Sequence, residues 1–357
     1  MSFFEVTKDG VEVENTYSYT NDDSFAKLVL SEGGDIHPLI IPSELTNGTG
    51  LMNPSILEYN GKLIVNIRHV NYTFYHSEKK LFQHPWGPLT YLHPENDMHL
   101  RTENYICHID ESFNISRFNK IDTSKFDTYN PMWEFVGLED ARLMEWNGKL
   151  FTSGVRRDTT TNGQGRMELC EVEIHDDKVI EVSRWRINPP ADPNSYCEKN
   201  WMPIVDQPYT YIKWCNPVEV VKVDEQPTSD MVFNSNLVNS TTTYLGSTIN
   251  FKEKDPRGGS QVIPFGDYYI ALTHEVDLFK SEVGRKDGVY RHRFVVWDKD
   301  WNVVRYTNDF SLMNGHTEFC CGMCTYKDKI LITFGFQDNA AYILEVNPET
   351  IRRITGL

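Results

Sequence analysis

No apolar run in this 357-residue chain approaches the roughly 20 residues that a membrane-crossing helix needs, so no membrane partner is expected. The opening MSFFEVTKDG has neither the basic nor the apolar region of a secretory leader. Seven cysteines, an odd number, fit reduced thiols, and together these features predict a cytoplasmic protein. Positive charge is scarce: 35 Lys and Arg stand against 51 Asp and Glu, a net charge of −16. Such a field opposes nucleic acid and anionic lipid as partners. There is no phosphate-binding Gly loop, dinucleotide fingerprint or HExxH, and no nucleophile elbow. The cluster Cys320-Cys321-Gly322-Met323-Cys324 has no second CxxC or HxxxH after it, so its thiols are read as buried and no metal is expected. Nor does any apolar stripe at helical spacing persist beyond about two turns.

What is present is a recurring phrase. LEYNGKLIVNIR (57–68), LMEWNGKLFTSGVR (143–156), VIPFGDYYIALTH (262–274) and CTYKDKILITFG (324–335) each join two strand-like runs by a two-residue polar turn. The turns are Asn60-Gly61, Asn147-Gly148, Gly266-Asp267 and Lys327-Asp328, the pattern of β-hairpins. A weaker copy, Ile204–Cys215, would turn at Gln207-Pro208. Between Gly61, Gly148, Gln207, Gly266 and Asp328 the steps are 87, 59, 59 and 62 residues. A period of roughly 50–60 residues built on hairpins predicts an all-β, five-bladed β-propeller with long loops over one face.

No linker stands out, so residues 1–357 are expected to form one domain, with 46–357 as repeat blades and 1–45 as a leading strand or cap. The first step is widened by 69–135, rich in Tyr, His, Asn and Pro (HPWGP at 84–88, HPEND at 93–97), which reads as loop. Prolines also exclude regular helix from 186–203. Exposed propeller edges and long loops are compatible with a homo-oligomer.

Several second strands end in a charged or titratable residue: Arg68, Arg156, Lys213 and His274. In a radial array these ends would converge on an axial pocket of excess positive charge with a few carboxylates. Just before the second hairpin stands Gly137-Leu138-Glu139-Asp140-Ala141-Arg142. Strand alternation would put Glu139 and Asp140 on opposite faces, with Arg142 on the face of Asp140. One carboxylate would then meet substrate, although the same residues would equally make a structural salt-bridge corner. In Glu198-Lys199-Asn200-Trp201, Lys199 and Asn200 suit an anion or a sugar hydroxyl and Trp201 suits a pyranose face, or the loop simply tucks Trp201 into the core. Asp255-Pro256-Arg257-Gly258-Gly259-Ser260-Gln261 would bring Arg257 and backbone N–H groups to a phosphate. His274, Tyr290 and Asp338 fall at corresponding ends of later repeats. Such a set fits sugar chemistry, which needs an acid on the leaving oxygen and a site for the incoming nucleophile.

The order Asn53-Pro54-Ser55, Arg68, Gly137–Arg142, Lys199-Asn200, His274, Tyr290 and Gly335…Asp338 resembles glycoside hydrolase family 130, the β-mannoside phosphorylases and related mannosidases, over roughly residues 50–345. The resemblance implies that Asp140 is the catalytic acid, acting with inversion, with Asn53, Arg68 and Asp338 binding the sugar; Glu139, Arg142 and Trp201 are expected beside them as substrate-binding residues from their own motifs. It also implies a phosphate site of Lys199, Asn200, Lys213, Arg257, His274 and Tyr290. No cofactor is expected beyond inorganic phosphate or a donor's phosphate as co-substrate. The chain departs from the family at Ala141, where Pro is usual. The expectation is glycosyl transfer between a β-mannoside-type glycan and phosphate. The alternatives are a glycosyltransferase using a sugar phosphate or nucleotide sugar, a mannosidase-type hydrolase, and a non-catalytic glycan-binding propeller.

Overall fold

The computed structural model describes residues 2–16, 24–46, 50–74, 91–92, 97, 99–192, 194–280 and 286–357. The Asn-Gly pairs of the first two repeat phrases form the turn that their composition demands. Asn60 and Gly61 have φ of 51° and 69°, and Asn147 and Gly148 have 54° and 74°. Two positive φ values in succession define the hairpin turn whose twist matches the flanking strands, and they set the registers Tyr59↔Lys62 and Trp146↔Lys149. The weaker copy differs. Met202 pairs with Ile212 and Pro203 with Tyr211, so its connection spans 204–209 rather than a two-residue turn at Gln207-Pro208.

Antiparallel pairing groups the strands into successive runs of four. The first is Leu51–Tyr59, Lys62–Val70, Leu100–Ile109 and Ile115–Asp122. The second is Glu139–Trp146, Lys149–Arg156, Arg166–Ile174 and Val179–Ile187. Next come Met202–Pro203, Thr210–Cys215, Val218–Val223 and Ser240–Leu245, then Ile263–Phe265, Tyr268–Lys280, Lys286–Trp297 and Val303–Thr307. The last run is Glu318–Tyr326, Lys329–Phe336 and Ala340–Val346, and its outer strand is the N-terminal Asp35–Pro38. Ser2–Val6 and Glu12–Thr16 extend the run before it. The class expected from the sequence, an all-β propeller, is the class observed.

Two expectations need correction. Residues 100–122, read as loop, form a full hairpin without the NG phrase, which is why the first step is 87 residues; 84–88 and 93–96 lie outside the described residues. His274 does not end its strand, because the pair Tyr268–Lys280 and Lys286–Trp297 continues beyond it.

Burial explains the apolar runs. In Lys62–Val70 every residue after the first is buried, whereas Ile115–Asp122 at the outside is mostly half-buried or exposed. Strands covered on both faces read as continuous apolar runs. Neighbouring runs share separate apolar layers, for example Ile64, Ile106, Leu143 and Val172, or Met144, Trp146, Tyr211 and Val221. The first and last runs meet in a layer that contains Ile56, Val65, Leu331 and Ile343.

At the centre the inner strands are tied by polar side chains. Buried Gln261 donates from Nε2 to Ser55 Oγ (3.0 Å), Ile56 O (2.9 Å) and Leu143 O (2.9 Å), and accepts from Met323 N (2.7 Å). Another buried polar group, His292, accepts from Cys320 N at 3.2 Å through Nε2. Burial, helped by Arg291, pushes its pKa down to about 3. Unfolding frees it to titrate near 6.5, so the unfolded chain binds the extra proton and stability falls as pH drops from about 6.5 towards 3. We expect His292→Gln to flatten the pH dependence of the urea midpoint across that window, by on the order of 4 kcal/mol at its acid end. Parallel pH profiles of parent and variant would contradict this.

Candidate active site

Asp140, second in the inner strand of the second run, has φ of 50°, and Asn53 in the first run has φ of 47°. The ladder slips beside each, between Glu139 and Arg142 and between Met52 and Ser55. A bulge with a left-handed residue re-aims the side chains around it, and Asn and Asp are among the residues that tolerate that conformation. The slip turns Glu139 and Asp140 into the same cavity, which corrects the opposite-face expectation drawn from strand alternation. Asn200, with φ of 59°, marks the corresponding entry to the third run. Two glycines make room for these corners. A Cβ on Gly335 would lie 2.3 Å from Asn53 Oδ1, and one on Gly258 would lie 1.8 Å from Asn200 O.

The cavity measures about 300 Å³, and its lining comprises two chemically distinct groups of side chains. One holds Asn53, Arg68, Tyr72, Glu139, Asp140 and Asp338. Asp140 Oδ1 accepts from Asn53 Nδ2 at 2.7 Å and from Arg68 Nη1 at 2.8 Å. Arg68 Nη2 donates to Tyr72 OH (3.0 Å) and Glu139 Oε2 (3.3 Å), and Nε donates to Thr102 Oγ1 (3.2 Å). Burial disfavours charge on Asp140, but Arg68, the Asn53 amide, Arg142 and Lys199 outweigh it and hold the carboxyl below its ordinary pKa. Burial likewise opposes the charge on Arg68, which Tyr72, Asp140, Glu139 and Asp338 nevertheless hold well above its ordinary value.

The second group is formed by Lys199, Asn200, His274, Tyr290, Thr317 and Phe319. His274 Nδ1 lies 2.9 Å from Gly258 O, which as an acceptor fixes the proton on Nδ1 and leaves Nε2 as an acceptor. Burial, with His292, Lys199 and Arg142 adding to it, keeps the His274 pKa far below normal, so the ring is neutral. Tyr290 stacks on His274 and is pushed up to about 12 by burial and by Asp338 and Asp140.

Of the residues singled out in the sequence, Asn53, Arg68, Glu139, Asp140, Lys199, Asn200, His274, Tyr290 and Asp338 line one cavity. The others lie elsewhere. Lys213 is buried and paired with Glu219 at 3.2 Å. Arg257 joins His274 through the backbone, while its side chain is half exposed near Asp255. Trp201 is core, with 1% exposure, and its Nε1 donates to Glu198, which leaves no face for a sugar. Arg142 is fully buried and donates to Asp140 O (2.7 Å) and Gly259 O (2.8 Å), so it braces the corner rather than meeting a substrate. Arg156, a strand end expected at the axis, pairs with Glu168 at 2.8 Å. Among the described residues that line the cavity the expected excess of positive charge is absent: three carboxylates, Glu139, Asp140 and Asp338, stand against Arg68 and Lys199. Met52, Tyr72, Phe135, Thr317 and Phe319 also line the cavity and carried no sequence signal, except that Tyr72 closely follows Arg68.

No protein-family model matches the chain, and no curated protein matches it in sequence. Solved structures do match. A β-1,2-mannobiose phosphorylase from Listeria innocua, solved with β-1,2-mannobiose, is 13% identical, with 90% of this chain and 99% of that chain covered and a TM-score of 0.50. MPT-1, a GDP-Man-dependent mannosyltransferase from Leishmania mexicana, is 11% identical, with 88% and 90% covered and a TM-score of 0.50. The chain shares the fold of these sugar-active proteins.

Proposed function

We propose that the protein is a carbohydrate-active enzyme that transfers a glycosyl unit, with inversion, between a β-mannoside-type glycan and phosphate. The observation that carries this reading is one cavity lined both by a carboxylate–arginine cluster and by Lys199, Asn200, His274 and Tyr290. Support for the sugar class comes from the shared fold, whose other holders include the mannobiose phosphorylase and the GDP-Man-dependent mannosyltransferase.

Asn53, Arg68 and Asp338 hold the sugar hydroxyls, and Asp140 serves the leaving oxygen. Without substrate Asp140 is a carboxylate. Burial opposes its charge, so as the sugar binds and displaces water it takes up one proton from solvent and thereby becomes the donor. Its proton passes to the glycosidic oxygen as the bond to the anomeric carbon breaks. A phosphate oxygen, held by Lys199, Asn200 and Tyr290, attacks from the opposite face and leaves an inverted sugar 1-phosphate. The acceptor Nε2 of His274 receives a hydrogen bond from a protonated phosphate oxygen.

The charge count favours a second reading, hydrolysis. With three carboxylates against two cations among the described lining residues, a dianion is held less firmly, and a carboxylate is available as base for water. The test is to incubate the protein with manno-oligosaccharides with and without phosphate, and separately with mannose 1-phosphate or GDP-mannose plus acceptor sugars, reading products by mass. Phosphate-dependent release of sugar 1-phosphate is expected. In Lys199→Ala the phosphate-dependent rate should fall about tenfold or more, from loss of a charge-assisted contact. Equal turnover without phosphate would replace this reading with the hydrolytic one.

A further inference from the structure

Beyond the residues that line the cavity stands an aromatic ring, Tyr196, linked to Glu139 through Arg157. Tyr196 is 56% exposed, yet its backbone is firmly held. Gly165 N donates to Tyr196 O at 3.0 Å, and Glu198 N donates to Gly165 O at 3.0 Å. The Ser195 carbonyl accepts from Arg166 Nη1 (2.7 Å) and Gln164 Nε2 (3.1 Å), and Ser195 Oγ donates to Glu198 Oε1 at 2.8 Å. A ring on a backbone so fixed binds without the ordering cost of a floppy loop.

Arg157 connects this ring to the cavity. Its Nε lies 3.9 Å from Glu139 Oε1, its Nη2 donates to Cys197 Sγ at 3.2 Å, and its Cζ lies 6.0 Å from the centre of the Tyr196 ring. No partner for Nη1 occurs among the described residues. Burial opposes the charge on Arg157, but Glu139, Cys197 and Tyr196 hold its pKa above normal, so the donor is permanent. A short way along the same segment Lys199 lines the cavity. The exposed ring and the Glu139 carboxylate thus stand on either side of one guanidinium.

We infer that Tyr196 and Arg157 form a second sugar subsite, which takes the ring on the far side of the glycosidic bond from the cavity. Tyr196 stacks on the apolar face of that ring, and Arg157 Nη1 donates to one of its hydroxyls. This subsite rests on the sugar-site reading above. Its test is calorimetric titration of mannose and of β-1,2-mannobiose into the full chain, as parent, Tyr196→Ala and Tyr196→Phe. Tyr196→Ala should weaken mannobiose about tenfold, the loss of roughly one stacked ring, while mannose affinity and thermal melting stay unchanged. Tyr196→Phe should behave as the parent. Equal affinity of the parent for the two sugars, or a loss in Tyr196→Ala that is the same for both or absent for both, overturns the subsite and leaves the cavity reading standing. A parent that binds neither sugar overturns the cavity reading and the subsite with it.

Discussion

Asp140→Asn should lower turnover about a thousandfold, within the range that a positioned acid or base contributes, while the protein keeps its melting temperature. The two effects separate because of what surrounds this side chain. An Asn carbonyl oxygen still accepts from Asn53 Nδ2 and Arg68 Nη1, which meet the same atom, Oδ1, at 2.7 and 2.8 Å. Arg68 keeps Glu139 at 3.3 Å as its charge partner. The left-handed backbone at residue 140 also suits Asn. The bulge and the cavity wall therefore survive, and what disappears is the group that carries the proton. The measurement is steady-state turnover on whichever manno-oligosaccharide the parent consumes, beside circular dichroism and a melt of the same samples. An Asp140→Asn variant with parental turnover would remove Asp140 from the chemistry, and a variant that loses its fold would make it a structural corner.

Gln261→Leu should destabilise the protein by about 4 kcal/mol, with unpaired buried groups costing about 1–3 kcal/mol each. Leucine has nearly the same size, so the loss is almost purely of hydrogen bonds. It strands Ile56 O, Leu143 O and Met323 N, three backbone groups contributed by three different runs of strands, at the axis where water does not reach. Gln261→Glu should be at least as damaging, since a carboxylate oxygen would face two carbonyl oxygens in place of a donor. Urea unfolding followed by fluorescence measures both variants. A change below about 1 kcal/mol in Gln261→Leu would show that the axis is held by apolar packing alone, because typical single substitutions already reach that size.

Gln261 also shows where sequence reading stopped. Asp255–Gln261 reads as a flexible basic turn suited to an anion, and its glycines look like ordinary turn residues. In the fold they are points of close approach: a Cβ on Gly259 would lie 2.1 Å from Leu272 O, and one on Gly258 would meet Asn200 O. They bring Ser260 and Gln261 to the axis, and Arg257 is left at the surface. The partners of Gln261 lie on strands 62 to 206 residues away in sequence, where no local pattern reports them. Trp201 is a similar case. An aromatic residue in a Pro-rich loop suits a sugar platform, but its indole is buried against Tyr211 and Glu198. The exposed ring of that loop is Tyr196.

The hairpins were legible because their causes are local. An Asn-Gly pair selects its turn, the turn sets register, and register with period-two burial yields the strand, so the all-β class followed from residues 57–68 and their copies. The convergence of Asn53, Arg68, Asp140, Lys199, His274 and Asp338 was legible in outline because each stands at the same end of its repeat. Only the tertiary structure decided which charges reach the cavity. Lys213 and Arg156 occupy strand ends like Arg68, yet each meets a buried carboxylate on an adjacent strand, Glu219 or Glu168, and is held there. Glu139 and Asp140 share a cavity because the strand slips at a left-handed residue, whereas a straight strand would have parted them. Turn and register are set within a few residues, while pairing of charges and direction of side chains depend on strands that meet only in the folded ring.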